Sequence, residues 1–303
     1  MKLIISGAGG FLGRNILTQL LLSEKSVTEI IALSSNISQL SLFENCEKMK
    51  IISNQDFLSK KINLSSYTLI HLAYARSSDF QRVKQSCEFA FDLFEKCKNY
   101  GLKRIIHISS QSVYDPKRTK PAVETDLVRL STLYDMGKYY LENWISDFCH
   151  KNSIDFLNLR IGSLVGPNFS QRITTRLVRN AIEKGKIIIN INGQLFSFTH
   201  VSDMAQAIII SSKNNNSNMW NKVYNVGSSE TYNIEDIANN IYLIAKNNNI
   251  HLIIERKIVS KSGVNSSLDS TLFQDLTGWD TEYDLRSILR EEFDYQIGTQ
   301  REN

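Results

Sequence analysis

The sequence predicts an α/β protein: a doubly wound parallel sheet followed by a smaller C-terminal α/β unit. Three observations carry that prediction. Short runs dense in Ile, Leu and Val recur through the first half of the chain. Stretches with apolar residues at helical spacing lie between them. A glycine cluster separates the first strand-like run from the first helix-like one. Strands buried on both faces read as nearly continuous apolar runs, and alternating strand and helix patterns build parallel sheets covered by helices.

In chain order, KLIIS (2–6) is followed by glycines and then FLGRNILTQLLL, apolar at helical spacing. EIIAL (29–33), MKIIS (49–53), TLIHLA (68–73), RIIHIS (104–109) and DFLNLR (155–160) are further strands, with helices over about 83–100 and 133–150. Past Arg160 the texture changes. IGSLVGP (161–167) reads as a loop, and a helix carrying Arg172, Arg176 and Arg179 follows. KIIINI (186–191), KVYNV (222–226) and HLIIERKIV (251–259) read as strands, with a helix near 233–246 and an Asn-rich loop at 213–221. The expected division is a dinucleotide-binding unit over 1–160 and a substrate-binding unit over 161–303, the latter discontinuous, with segments returning to the first sheet.

Composition narrows the function. With 303 residues, 42% hydrophobic and 22% charged, the chain is ordinary globular material. The net charge of +4 is dispersed; KRTK (117–120), the densest basic run, lies between prolines and reads as a solvated loop. No basic run carries interleaved aromatics, so nucleic acid is not an expected partner. The four cysteines show no metal spacing and read as reduced thiols of a cytoplasmic protein. No metal is expected. No stretch approaches the roughly 20 apolar residues that span a bilayer, and no signal peptide fits the start.

SGAGGFLGRNI places Gly7, Gly10 and Gly13 three apart between strand and helix. That spacing gives a tight turn, close backbone approach to a pyrophosphate and close helix–strand packing. The helix start, Phe11 and Leu12 onward, then offers free N–H groups to phosphates. A Rossmann-type cofactor site is therefore expected. Its usual carboxylate, about 20 residues further on, binds the adenine ribose. Here Ser34, Ser35 and Asn36 occupy that point. Neutral hydroxyls and an amide tolerate a 2′-phosphate, which favours NADP(H) and leaves NAD(H) open. Arg14 is the nearest basic candidate for that phosphate and fits a solvated helix residue equally well.

Tyr134 and Lys138 stand four residues apart, one above the other on a helix face. Spacing alone decides nothing in a chain with 12 tyrosines, and Tyr242/Lys246 repeats it. Position separates them. Ser109 and Ser110 end a strand at the carboxyl edge, where ligands gather in open parallel sheets, and the helix of Tyr134 follows. Tyr242 has no such strand before it.

GAGGFLG, LIHLAYA, IHISSQSVYD, YDMGK, LRIGSLVGP and FTHVSDMAQAI occur in an order that resembles the extended short-chain dehydrogenase/reductase family, the NAD-dependent epimerase/dehydratase group. VYNVGSSETYNIEDIA and LDSTLFQDLTGW extend the likeness over almost the whole chain. The resemblance implies Tyr134 as general acid/base, Lys138 as its activator and a ligand of the nicotinamide ribose, and Ser110 as holder of the substrate oxygen. A nearby ammonium lowers a phenol that otherwise titrates near 10. Asp56 and Phe57 resemble the loop beside the adenine; Leu72, Ala73 and Tyr74 resemble the segment lining the cofactor, and Ser109 belongs to the same wall. His71 and His107 read as core residues. Arg160 reads as one half of a structural ion pair.

Departures set the expected reaction. Family dehydratases carry Thr-Asp-Glu where this chain has Ser110, Gln111 and Ser112, which argues against dehydration. The Arg-Asp pair that precedes HVSD in relatives and meets the substrate diphosphate is replaced by Phe196 and Ser197. Arg172, Arg176 and Lys261 are the candidates to substitute, and each also fits a solvated charge. The leading expectation is an NADPH-dependent reductase of a nucleotide-linked 4-keto-6-deoxy sugar, of the kind used for bacterial surface polysaccharides. The alternatives are an NAD-dependent sugar-nucleotide epimerase and a non-catalytic cofactor-sensing scaffold. The family habit implies a homodimer formed through the helices near 83–100 and 133–150.

Overall fold

The computed structural model describes residues 1–169, 172–260 and 263–302. Lys261 lies outside the described residues. The elements are β1 (Lys2–Ser6), α1 (Phe11–Ser23), β2 (Glu29–Ser34), β3 (Met49–Ser53), α2 (Asn54–Ser59), β4 (Tyr67–His71), α3 (Phe80–Asn99), β5 (Arg104–Ser110), α4 (Leu133–Asn152) and β6 (Asp155–Ile161). They continue with β7 (Leu164–Val165), α5 (Ile173–Lys184), β8 (Lys186–Ile191), β9 (Thr199–His200), α6 (Val201–Lys213), β10 (Lys222–Val226), α7 (Ile234–Asn247), β11 (Ile253–Ile258), α8 (Thr271–Thr277) and α9 (Leu285–Glu302).

The main sheet is parallel, with strand order β10-β6-β5-β4-β1-β2-β3. The chain runs outward from β1 through β2 to β3, then crosses back to place β4 on the other side of β1. The direction reverses between β1 and β4, and a crevice opens there at the carboxyl ends of the strands. The loop after β1 is the glycine cluster, and the loop after β4 carries Leu72, Ala73 and Tyr74.

Side-chain alternation explains why both faces are covered. Leu3 and Ile5 point to one core with Ile16, Leu17 and Leu20 of α1 and Met204 and Ile208 of α6. Ile4 points to the other, with Ala90, Leu93 and Phe94 of α3 and Leu141, Ile145 and Phe148 of α4. The later elements form a third core, where α5, α7 and α9 pack over the short parallel pair β8–β11. β10 leaves that region and closes the main sheet beside β6 in a register from Lys222↔Leu157 to Val226↔Ile161.

KRTK is an exposed loop, as expected, except at Arg118. Arg118 is half-buried and donates to Gln111 Oε1 at 3.0 Å and to the Ser266 carbonyl at 3.0 Å. Tyr242 and Lys246 lie on the exposed side of α7, a helix of the third core.

Candidate active site

Two cavities meet the carboxyl edge of the sheet. The first, about 450 Å³, is walled by Gly7, Gly10, Ser34, Ser35, Gln39, Asn54, Leu72, Ala73 and Tyr74, with α3 residues closing its rim. Gly7 has φ +74°, and a Cβ there would stand 2.8 Å from the Ala73 amide nitrogen, so only glycine lets the two loops approach. Gly13 packs on the Gly7 and Ala8 carbonyls. Gly10 caps α1 without a side-chain bond, which leaves first-turn N–H groups for an anion. Asn54 Oδ1 is buried with no hydrogen-bond partner. A cradle that a Cβ would fill, free helix amides and an orphaned acceptor together fit a dinucleotide.

Several expected cofactor residues stand elsewhere. Phe57 is fully buried in the α3/α4 core, and Asp56 closes the Ser53 cap of α2 with Ser53 Oγ at 2.8 Å. Neither side chain walls the cavity; Asn54, which the sequence reading missed, does. Asn36 caps the turn after β2 by accepting from Ser38, while Ser34 and Ser35 form the wall. Leu12 is in the core and Phe11 stacks on Phe169 at 4.6 Å, so these two offer only backbone. The Arg14 guanidinium folds back onto the Gly9 carbonyl. The Ser109 hydroxyl turns inward and donates to Glu142.

The second cavity, about 500 Å³, holds Ser110, Gln111, Ser112 and Tyr134 together with Arg76 and Arg172. Tyr134 begins α4, fixed by a capping box in which Thr132 Oγ1 accepts from the Asp135 amide and Asp135 accepts from the Thr132 amide. The Ser112 hydroxyl donates to Ser110 Oγ at 2.9 Å. Ser110 and Tyr134 face the same cavity, and the serine hydroxyl acts to lower the phenol. Gln111 is held between Ser163 and Arg118, 2.7 and 3.0 Å away. Arg176 is exposed and does not wall the cavity; Arg172 does.

Lys138 is one turn further along α4 and deeply buried. Its Nζ donates to the Ile108 carbonyl at 2.7 Å and lies 4.3 Å from the centre of the Tyr74 ring. Tyr74 also meets Tyr134 edge to face at 5.6 Å. A Cβ on Gly137 would stand 1.9 Å from the Tyr74 hydroxyl, so this glycine makes room for that ring. Burial lowers Lys138 to about 7, against the upward pull of the Glu142 carboxylate. Burial also pushes the Tyr134 phenol above its ordinary value; the Ser110 hydroxyl and the Arg76 and Arg172 charges pull it back.

Beneath the site, Glu142 receives Arg160 through Nε at 3.1 Å and Nη2 at 2.8 Å, and Arg160 Nη1 donates to Tyr114 at 2.9 Å. The ion pair expected of Arg160 is present, with Glu142 as its partner. Its spacing of four from Lys138 is the sequence signal that would have found it. His71 and His107 are buried and stacked at 5.4 Å; burial holds His71 near 3 and His107 well below the usual imidazole value. They are core residues.

Among the described residues, no group of three or more His, Cys, Asp or Glu is placed to hold a metal, and no helix is long and apolar enough to cross a membrane.

Comparison with known proteins gives the same picture. The chain is 21% identical over 326 residues to UDP-glucuronic acid decarboxylase 5 of Arabidopsis thaliana, covering 99% of this chain and 92% of that protein. It is 22% identical to Protein CapI of Staphylococcus aureus over 69% of this chain and 68% of that one. Its fold matches UDP-glucuronic acid 4-epimerase from Bacillus cereus, solved with UDP-glucuronic acid and NAD, with TM-score 0.83, 21% identity and coverage of 99% and 100%. DesIV, a dTDP-glucose 4,6-dehydratase from Streptomyces venezuelae, matches with TM-score 0.83 at 14% identity, covering 99% of this chain and 98% of that one. The model of the NAD dependent epimerase/dehydratase family matches residues 3–227, the span that holds the glycine cradle, the Ser110–Tyr134 pair and Lys138. The chain belongs to the NAD dependent epimerase/dehydratase family, an extended short-chain dehydrogenase/reductase.

Proposed function

We propose that the protein is an NAD-dependent epimerase acting on a sugar carbinol of a nucleotide-linked sugar. The observation that carries this is the Ser110–Tyr134 hydroxyl pair in a cavity whose one carboxylate among the described lining residues, Asp135, is engaged in the α4 cap. A dehydratase needs a free acid there to eliminate water, whereas proton exchange at a carbinol oxygen needs only the phenol. Family membership and the sugar-nucleotide enzymes among its relatives support the substrate class.

When bound, the nicotinamide supplies the acceptor for the hydride of the carbinol carbon. Ser110 donates to the sugar oxygen and orients it toward Tyr134. Tyr134 takes the hydroxyl proton as the carbon becomes a carbonyl and returns it when the carbonyl is reduced from the other face. The Arg76 and Arg172 charges favour the phenolate that takes the first proton, and Tyr134 is a neutral phenol between those events. Ser34, Ser35 and Asn54 hold the adenosine half, and the α1 amides hold the pyrophosphate. Residues beyond 160 supply the sugar side through Ser163, Phe169 and Arg172.

A second reading, the NADPH-dependent 4-ketoreductase, is favoured by the neutral Ser34–Ser35 edge, which leaves room for a 2′-phosphate. The two are separated by measuring nicotinamide retained on the purified protein and by following nucleotide-linked hexoses and 4-keto-6-deoxy sugars by NMR and absorbance. Interconversion of epimers with no net redox, lost in Tyr134→Phe, supports the epimerase. Stoichiometric NADPH oxidation replaces it with the reductase. Neither activity on any member of the panel defeats both. We further propose a homodimer through α3 and α4, supported by the exposure of Phe80, Met136 and Tyr140; sedimentation at monomeric mass overturns it.

A further inference from the structure

We propose that Arg76 and Arg172 together clamp a carboxylate borne on the sugar, which makes the substrate a nucleotide-linked uronic acid. The assignment rests on reading the site as a nucleotide-sugar pocket and narrows that reading.

The two guanidinium groups wall the same cavity as Ser110 and Tyr134. Arg172 is fixed at the start of α5: its Nε donates to the Leu164 carbonyl at 2.7 Å and its guanidinium lies 5.5 Å from the Phe169 ring centre. That anchoring leaves its outer N–H groups for a ligand. Arg76, on the loop after β4, is exposed. Among the described residues neither has a carboxylate within ion-pair distance. Asp135 is the only acid among the described lining residues, and it accepts from the Ser131 hydroxyl and the Thr132 amide, both at 3.0 Å.

Two cations facing one cavity without a counter-charge repel each other. Burial and then the Arg76 charge lower Arg172 to about 10. A carboxylate relieves this, because guanidinium N–H groups match its two oxygens in bidentate geometry. Location selects the sugar over the diphosphate. Both charges act on the Tyr134 phenol, the group that exchanges a proton with the reacting carbinol. In a hexuronate the carboxylate is attached to the ring carbon next to C4, whereas the diphosphate is attached across the ring at C1.

The test uses the full chain loaded with NAD and equilibrium titration with UDP-glucuronate, UDP-glucose and UDP, for wild type and Arg76→Met. The dTDP-linked pair is run in parallel. Wild type is expected to prefer the glucuronate over the glucose form by roughly tenfold to a hundredfold, the worth of one charge-assisted contact. Arg76→Met is expected to erase most of that preference while moving UDP-glucose by less than about threefold. Equal wild-type affinity for the two sugars overturns the clamp. Equal weakening of both sugars and of UDP in Arg76→Met also overturns it, by assigning the arginines to the diphosphate. Failure of every nucleotide and nucleotide sugar to bind overturns the nucleotide-sugar reading itself and removes the clamp with it.

Discussion

Lys138 and Glu142 stand one turn apart on the buried face of α4 and are wired to different strands. The ammonium donates to Ile108 on β5 at 2.7 Å, and the carboxylate pairs with Arg160 on β6. The helix that carries Tyr134 is thereby tied by charge to both strands behind it.

Removing the Glu142 charge should be costly. Its pair with Arg160 is buried, with side chains 3% and 6% exposed. Glu142→Gln leaves an uncompensated guanidinium, a change that costs about 3–5 kcal/mol in such settings. Urea denaturation should show a loss of this size. A loss below about 1 kcal/mol means that Tyr114 and the Glu124 carbonyl suffice to hold Arg160.

Lys138 should give stability a pH slope. Its titration is lowered by burial to about 7 in the folded chain, against the usual 10.5. Between those values the unfolded chain holds the extra proton, so stability rises as pH increases through that window. The slope from this one group is at most about 1.4 kcal/mol per pH unit. Comparing denaturation of wild type and Lys138→Met from pH 6.5 to 10 isolates it. Parallel profiles for the two proteins would show that Lys138 titrates normally.

Gly137 and Tyr74 should be coupled. Alanine is the better helix former by about 1 kcal/mol, so a free site would gain from Gly137→Ala. Here the new Cβ would strike the Tyr74 hydroxyl and come within 2.8 Å of Val83 Cγ1. Gly137→Ala should therefore destabilise the chain, and by less in a Tyr74→Phe background. Equal effects in both backgrounds, measured as a double-mutant cycle, would remove the contact.

Cofactor choice should respond to charge at the end of β2. Ser35 is exposed on the cavity wall. Ser35→Asp places a carboxylate where a 2′-phosphate would lie, and NADP+ should weaken by about tenfold or more while NAD+ is kept. Fluorescence titration of both coenzymes reads this directly. Unchanged NADP+ affinity would mean that the phosphate points elsewhere.

The sheet and the glycine cradle were legible because buried strands and tight turns leave local signatures. The Ile/Leu runs predicted six of the seven strands of the main sheet, the Val-rich KVYNV marked β10, and Gly7, Gly10 and Gly13 predicted the turn. Ser110 and Tyr134 were legible from their places after β5 and at the start of α4. What escaped depends on long-range packing. Nothing near Arg76 marks it as a wall of the same cavity as Arg172, 96 positions away. Lys138 bonds Ile108 and lies against the Tyr74 ring, contacts between separate elements, and Gly137 makes room for that ring. Phe57 looked like a cofactor residue by motif, yet an apolar ring beside α3 is better placed in the core.

The return of β10 to the main sheet has a consequence during synthesis. β6 ends at Ile161, and its partner strand is complete only at Val226. At the usual 5–20 residues per second, the ribosome exposes an unpaired β6 edge for on the order of several seconds. Such an edge can recruit strands from other nascent chains. The interval before β10 emerges is thus the stage of biogenesis at which chaperone cover matters most. Slow codons between positions 162 and 221 would lengthen it.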